Sequence, residues 1–198
     1  GIHDTAVLNA MNTIPRELFV SEPYKEHAYK DGPLPIPANQ TISQPYIVAL
    51  MISLLKLQPA DRVLEIGTGS GYAAAVLSCI VNQVFTVERH EELVDYARDC
   101  LNTLGQENVH LRHDDGTLGW PEHAPYDGII VTAAASHIPR PLVEQLKPGG
   151  RLVIPVGRPH LYQELTLVEK DENGEIHMKH VLGVAFVPLQ GERNAALR

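Results

Sequence analysis

The stretch Val63-Leu64-Glu65-Ile66-Gly67-Thr68-Gly69-Ser70-Gly71 carries an apolar run into three alternating glycines, and Tyr72-Ala73-Ala74-Ala75-Val76-Leu77 follows with helical character. A strand that passes through a glycine turn into a helix lets a ligand come close to the backbone. Glycines remove the steric barrier, and the helix start offers unpaired N–H groups. The dinucleotide fingerprint Gly-x-Gly-x-x-Gly needs its third glycine at position 72, which is Tyr72 here. The spacing is instead Gly-x-Gly-x-Gly, with the acidic Glu65 two residues before the turn.

Reading outward, strands and helices alternate. Arg62–Ile66 is predicted as a buried strand, Tyr72–Ile80 as a helix, Val84–Glu88 as a second strand and Glu91–Leu104 as a helix with Leu93, Ala97, Leu101 and Leu104 on one face. Val109–Arg112 and Tyr126–Thr132 make further strands, then Pro139–Leu146 a short helix and Arg151–Val156 a fifth strand. Such alternation implies parallel strands joined by helical crossovers. Past them, Gln163–Glu169 alternates, Asn173-Gly174 is a hairpin signal and Ile176–Leu189 reads as strand. Upstream, residues 3–20 predict a short helix ended by Pro15, and Gly32-Pro33-Leu34-Pro35-Ile36-Pro37 predicts an extended loop. From Pro45 on, Ile47, Val48, Leu50, Met51, Leu54 and Leu55 form an apolar helix, with Thr41 or Ser43 as the expected cap.

The expected fold is therefore α/β: a doubly wound, mostly parallel, Rossmann-like sheet with a C-terminal antiparallel β hairpin and an N-terminal helical and loop extension. Residues 1–198 are expected as one domain, with a covering segment at 1–58, a cofactor-binding core at 59–157 and a β tail at 158–198.

Composition narrows the functions. Basic residues number 16 against 24 acidic, a net charge of −8, which repels phosphate backbones and anionic membranes in the absence of a basic patch. No apolar run approaches the ~18 residues of a membrane span. With no basic-then-apolar leader pattern either, we expect a cytoplasmic protein. Cys79 and Cys100 form no Cys-x-x-Cys, and no His-Glu-x-x-His occurs, so neither a redox pair nor a bound metal is expected.

Two further acids follow the sheet edge. Glu88 ends the second strand, where a carboxylate can accept hydrogen bonds from both hydroxyls of a ribose. The bland alternative is a solvated charge paired with Arg89. Asp114-Asp115-Gly116 ends the third strand; Asp115 could bond an adenine amino group, or simply make an Asp-Gly turn. Together with Glu65 and the glycine spacing, this resembles the first motif of class I methyltransferases. There a carboxylate such as Glu65 can neutralise the ammonium of a methionine moiety.

The chain also resembles the protein-L-isoaspartate O-methyltransferases. The resemblance rests on Pro15-Arg16-Glu17-Leu18-Phe19-Val20, Ala28-Tyr29-Lys30-Asp31, Pro33-Leu34-Pro35-Ile36 and Gln40-Thr41-Ile42-Ser43. It continues through Glu65–Tyr72, Thr132-Ala133-Ala134-Ala135, Leu146–Gly157 and Phe186-Val187-Pro188-Leu189. It implies S-adenosylmethionine as cofactor, S-adenosylhomocysteine as product, and isoaspartyl proteins and peptides as substrates. The acidic charge argues against nucleic acid and membrane partners, and a monomer is the expectation where the sequence itself does not fix the oligomeric state. By the same resemblance Ser43 is the catalytic residue, and Gln40, Thr41, Ile42, Gly67, Thr68, Gly69, Ser70, Gly71, Glu88, Leu93, Asp115 and Gly116 line the cofactor site with Glu65. Asn39 stands where many members carry glycine, Gln44 where alanine is common, and Tyr46 and Val48 where some carry histidine.

The chemistry needs no nucleophile–base pair. A carboxylate of pKa ~3.3–4 is already ionised at neutral pH and can attack a sulfonium methyl. Opposite charges neutralise each other on the way to the transition state, so a water-poor pocket and in-line positioning carry the rate. Ser43 would orient the accepting carboxylate, or else cap the helix at Pro45. The loop 32–46 would form part of a peptide groove and a lid, or else a rigid connector. Resemblance implies that the ester then collapses to a succinimide, which starts repair. Alternatives are a methyltransferase of another carboxylate, a small metabolite or RNA, and a non-catalytic S-adenosylmethionine-binding module; Tyr72 disfavours a nicotinamide oxidoreductase.

Overall fold

Neighbouring residues of the central strands face different cores, as a period of two requires. Val63, Val84, Ile130 and Val153 join one buried cluster, while Leu64, Phe85, Ile129 and Leu152 join the other. The computed structural model describes residues 1–158 and 161–191. Residues 159–160 and 192–198, which fall in the expected β tail, lie outside them.

A seven-stranded sheet runs through the chain, built from β3 (Arg62–Ile66), β4 (Gln83–Glu88), β5 (Val109–His113), β6 (Tyr126–Val131), β7 (Leu146–Gly157), β8 (Gln163–Lys170) and β9 (Ile176–Val184). Its order is β5-β4-β3-β6-β7-β8-β9. Pairing is parallel from β5 to β7 and antiparallel for β7-β8 and β8-β9, which is the expected parallel sheet with a C-terminal hairpin. The chain leaves β3 towards β4 and β5, then returns to place β6 on the other side of β3. The reversal opens a crevice at the carboxyl ends of β3 and β6.

The first core gathers α1 (Thr5–Thr13), α2 (Pro45–Leu55), α3 (Tyr72–Ser78) and α4 (Glu91–Leu104) through Val7, Met51, Val76 and Leu101. The second holds Leu142 of α5 (Arg140–Glu144) beside Tyr126 and Leu146. Helix α4 follows the rules for a surface helix. Glu91 and Glu92 stand in its first turn, where negative charge opposes the dipole, and Gly105 closes it in the left-handed conformation.

Two expectations are corrected. The proline-rich stretch is not a plain loop: β1 (Leu34–Ile36) and β2 (Gln40–Ile42) pair as a separate antiparallel ribbon. Pro35 is tolerated because the ribbon is two-stranded and short. Ala38 and Asn39 take positive φ at its turn, where Asn39 stands in place of a common glycine. Nor does Thr41 or Ser43 cap α2. No side chain adjacent to that helix caps it; Asp31, far back in sequence, accepts from the Tyr46 N–H at 3.1 Å and from Gln44 Nε2 at 2.9 Å. The predicted helix over 3–20 is α1, capped by Asp4, followed by a separate 3-10 turn at Arg16–Phe19.

Candidate functional site: two clefts meeting at Ser43

The glycine turn sits over the crevice. Gly67 leaves β3 at φ +91°, donates its N–H to the Val87 carbonyl at 2.9 Å, and a Cβ there would meet Thr132 Oγ1 at 2.6 Å. Only glycine fits both constraints. Gly69 donates to Glu88 Oε2 at 2.9 Å, so the turn is pinned to the end of the neighbouring strand. Gly71, at φ +90°, starts α3, and a Cβ there would meet Ala97 and Leu101 of α4.

Glu65 is fully buried. Its Oε2 accepts from the Thr86 hydroxyl at 2.6 Å, and Thr86 is bonded at 2.6 Å to Thr68. With Thr86 donating to Glu65, Thr68 donates to Thr86; with the carboxyl protonated on Oε2, the chain can run the other way. The other oxygen, Oε1, is buried with no partner among the described residues. Burial pushes the Glu65 carboxyl up to about 8; the Thr86 hydrogen bond opposes this and the Glu88 charge adds to it.

Glu88 is held differently. Besides Gly69, the N–H groups of Arg89 and His90 donate to Oε1, each at 2.9 Å. It is 5% exposed, which corrects the picture of a solvated strand-end charge.

Around these groups lies a cleft of about 790 Å³, counted with its open mouth. It brings together Gln40, Thr41, Ile42, Ser43, Glu65, Gly67, Thr68, Gly69, Ser70, Glu88, Leu93 and Gly116. Two residues expected there are not in its lining. Gly71 faces α4, and Asp115 caps the 3-10 turn at Gly116–Leu118 by accepting from the Thr117 N–H at 2.9 Å and hydroxyl at 2.7 Å.

Sequence reasoning missed other lining groups, notably Tyr72, His90, Thr132 and Val187–Gln190. The last segment returns from the far end of the sheet: Ala134 donates to the Val187 carbonyl and accepts from the Leu189 N–H, both at 2.8 Å. Thr132 and Val187 were visible only as parts of resembling segments, since no spacing links them to the turn.

A second cleft, about 1330 Å³ with its mouth, adjoins the first. Thr41, Ser43, Thr132 and Val187 line both. Its walls include Pro33, Tyr46, Ile47, Leu161, Tyr162, Val184 and Phe186, and among the described residues no Lys, Arg, His, Asp or Glu lines it.

A cleft at the reversal of a doubly wound sheet, with a glycine turn and two strand-end carboxylates, is the arrangement of a class I methyltransferase. The family model for protein-L-isoaspartate(D-aspartate) O-methyltransferase matches residues 1–194. The chain belongs to that family. It is 58% identical to a protein-L-isoaspartate O-methyltransferase 2 of Pelobacter propionicus over 96% of this chain and 85% of that protein. With a protein-L-isoaspartate O-methyltransferase of Brucella anthropi it shares 52% identity, over 98% of this chain and 89% of that one. Among solved structures, a protein-L-isoaspartate O-methyltransferase superposes with a TM-score of 0.88 at 32% identity, over 96% of this chain and 62% of that longer chain. A second, described as the putative Plasmodium falciparum enzyme in complex with S-adenosyl-L-homocysteine, gives 0.82 at 28% identity, over 96% and 92%.

Proposed function

We propose that this protein transfers a methyl group from S-adenosylmethionine to the free carboxylate of L-isoaspartyl residues in damaged proteins and peptides, the first step of their repair through a succinimide. The observation that carries the reading is the position of Ser43, in the wall shared by two clefts of different character.

The cleft at the glycine turn suits the cofactor. Its buried Glu65 Oε1 lacks a partner among the described residues, as expected of an oxygen that awaits an ammonium group. Gly67, at φ +91° and packed against Thr132, lets the backbone turn tightly at the floor of this cleft. Glu65 and the Gly67–Ser70 turn would hold the amino-acid end, and Glu88 the ribose hydroxyls. Gln40, Thr41, Ile42, Leu93 and Gly116 would enclose the rest. Bound there, S-adenosylmethionine supplies an electrophilic methyl group on a positively charged sulfur.

The second cleft suits an extended peptide. Its walls mix apolar and neutral polar side chains, and among the described residues none is charged, so an isoaspartyl carboxylate entering it loses water without gaining a fixed ion pair with them. That raises the reactivity of an already ionised oxygen. Ser43 donates to this carboxylate and fixes its direction. Nothing in the cleft needs to remove a proton.

The net charge of −8 supports a partner set of isoaspartyl proteins and peptides, free of nucleic acid and membrane. No helix among the described residues is long and apolar enough to cross a membrane. Two unpaired cysteines, Cys79 and Cys100, suit a reducing cytoplasm, and no step of this reading calls for a second copy of the chain.

The test is a pair of peptides that differ only in isoaspartate against aspartate, incubated with labelled S-adenosylmethionine. Base-labile label should enter the isoaspartyl peptide alone. Equal labelling of both, or of neither, would refute the reading.

A further inference from the structure

Arg16 is the largest fully buried side chain among the described residues, at 1% exposure, and the reaction as described gives it no task. It lies in the 3-10 turn after α1, yet reaches across to the site. Its Nε donates to the Ala28 carbonyl at 2.7 Å, and its Nη2 donates to the carbonyl of Ser43 at 2.8 Å. The guanidinium lies over the ring of Tyr72, 4.8 Å from the centroid, and Tyr72 in turn lines the cofactor cleft. A third nitrogen, Nη1, is buried with no partner among the described residues.

Packing alone is a poor reason for this choice. A buried cation loses its hydration, and an unpartnered donor adds to that cost; an apolar side chain of similar volume fills such a space at no greater expense. What the guanidinium offers instead is geometry. Its planar fork fixes two carbonyls that belong to different segments at once, which an ammonium on a flexible stem does not do. One of those carbonyls is that of Ser43. Asp31 holds the N–H of Tyr46 at 3.1 Å, so the turn from Ser43 into α2 is held at two points.

We infer that Arg16 is a positioning residue for methyl transfer: by holding the Ser43 carbonyl it sets the direction of the Ser43 hydroxyl, and it places a positive charge behind Ser43, beside a cleft lined by no positive side chain among the described residues. The inference rests on the proposed function, because it assumes that Ser43 orients the acceptor carboxylate.

A double-mutant cycle tests it, with R16K, S43A and R16K/S43A, and R16Q as a second replacement at position 16. Steady-state kinetics with the isoaspartyl peptide, S-adenosylhomocysteine affinity by calorimetry and melting temperature are measured for each. R16K should lower kcat/KM for the peptide by about tenfold or more, while the S-adenosylhomocysteine affinity stays within about threefold of the parent. In the S43A background the same replacement should cost only about twofold, since the group it directs is gone.

An equal loss in both backgrounds would overturn the inference. So would a parallel fall in S-adenosylhomocysteine affinity, unchanged kinetics in R16K, or failure of both R16K and R16Q to fold, any of which makes Arg16 structural or idle. If the parent protein labels no peptide, the proposed function fails first and this inference falls with it; an active parent with an additive cycle removes the inference alone.

Discussion

Thr86 gives its single hydroxyl proton to one oxygen of Glu65, at 2.6 Å, and the opposite oxygen is buried with no partner among the described residues. Without a ligand, burial holds the carboxyl neutral up to about pH 8. An arriving ammonium favours the ionised form, so the proton must leave as the cofactor binds. S-adenosylhomocysteine titrated at pH 6.5 in buffers of different ionisation enthalpy should therefore release a substantial fraction of one proton. E65Q should release much less and bind about tenfold more weakly, an effect the size of one charge-assisted hydrogen bond. Proton release of equal size in the variant would remove Glu65 from this role.

The same carboxyl makes ligand-free stability depend on pH. Its folded pKa of about 8 lies above the ordinary 4.5, so between these values the folded state keeps a proton that the unfolded state has lost. Stability from this group is full below about 4.5 and declines as pH rises towards 8. Denaturant midpoints of the ligand-free protein should fall over that window relative to E65Q, which has nothing to titrate. Identical pH profiles would contradict the neutral form.

Ser43 and Asp31 separate chemistry from capping. Asp31, not Ser43, serves the start of α2. S43A should thus cut turnover by about tenfold to a hundredfold, the loss of a hydrogen bond to a charged group, with little change in melting temperature. D31A should cost about 0.5–2 kcal/mol of stability, as lost caps do. Reversed outcomes, with S43A unstable and fully active, would return Ser43 to a capping role.

That pair also marks what the sequence makes legible. Val63 and Leu64 belong to opposite cores because strand periodicity leaves no other choice, and Gly67 betrays its turn because no other residue fits. Asp31 is invisible as a cap, since it acts on Tyr46 across an intervening ribbon. The ribbon itself, Leu34–Ile42, is too short and too rich in proline to carry a strand pattern. Asp115 and Gly71 look like ligand groups from their place beside the sheet edge. Asp115 makes the local turn that is its alternative reading, accepting from Thr117 two residues on, while Gly71 lies against Ala97 and Leu101, which only the folded chain brings to it. Val187–Gln190 reach the cleft through a bridge to Ala134 that no local pattern announces.

G67A should fail in two ways. The backbone at φ +91° is strained for any side chain, and the added methyl would lie 2.6 Å from Thr132 Oγ1, which bonds the Gly67 carbonyl at 2.5 Å. A cost of about 1–3 kcal/mol is expected for the strain, read as a lower melting temperature. The displaced turn should also weaken S-adenosylhomocysteine. Retained affinity and stability together would show that the turn can shift freely.

Glu88 should tolerate amide replacement less well than Glu65. A carboxamide has one accepting oxygen and one donating nitrogen. At Glu65 that suffices, since a single donor, Thr86, approaches one oxygen. At Glu88 both oxygens accept: one from Gly69, the other from Arg89 and His90. In E88Q the amide nitrogen must therefore face an N–H on one side or the other, leaving buried donors unsatisfied at about 1–3 kcal/mol. E65Q should match or exceed the parent's ligand-free melting temperature at neutral pH, where the parent has lost stability through the Glu65 carboxyl, whereas E88Q should lower it and also loosen the glycine turn through Gly69. S-adenosylhomocysteine affinity should then fall further in E88Q than in E65Q, because the ribose acceptor and the turn are lost together. Equal melting temperatures for the two variants would mean that the hydrogen bonds around Glu88 do not hold the turn in place.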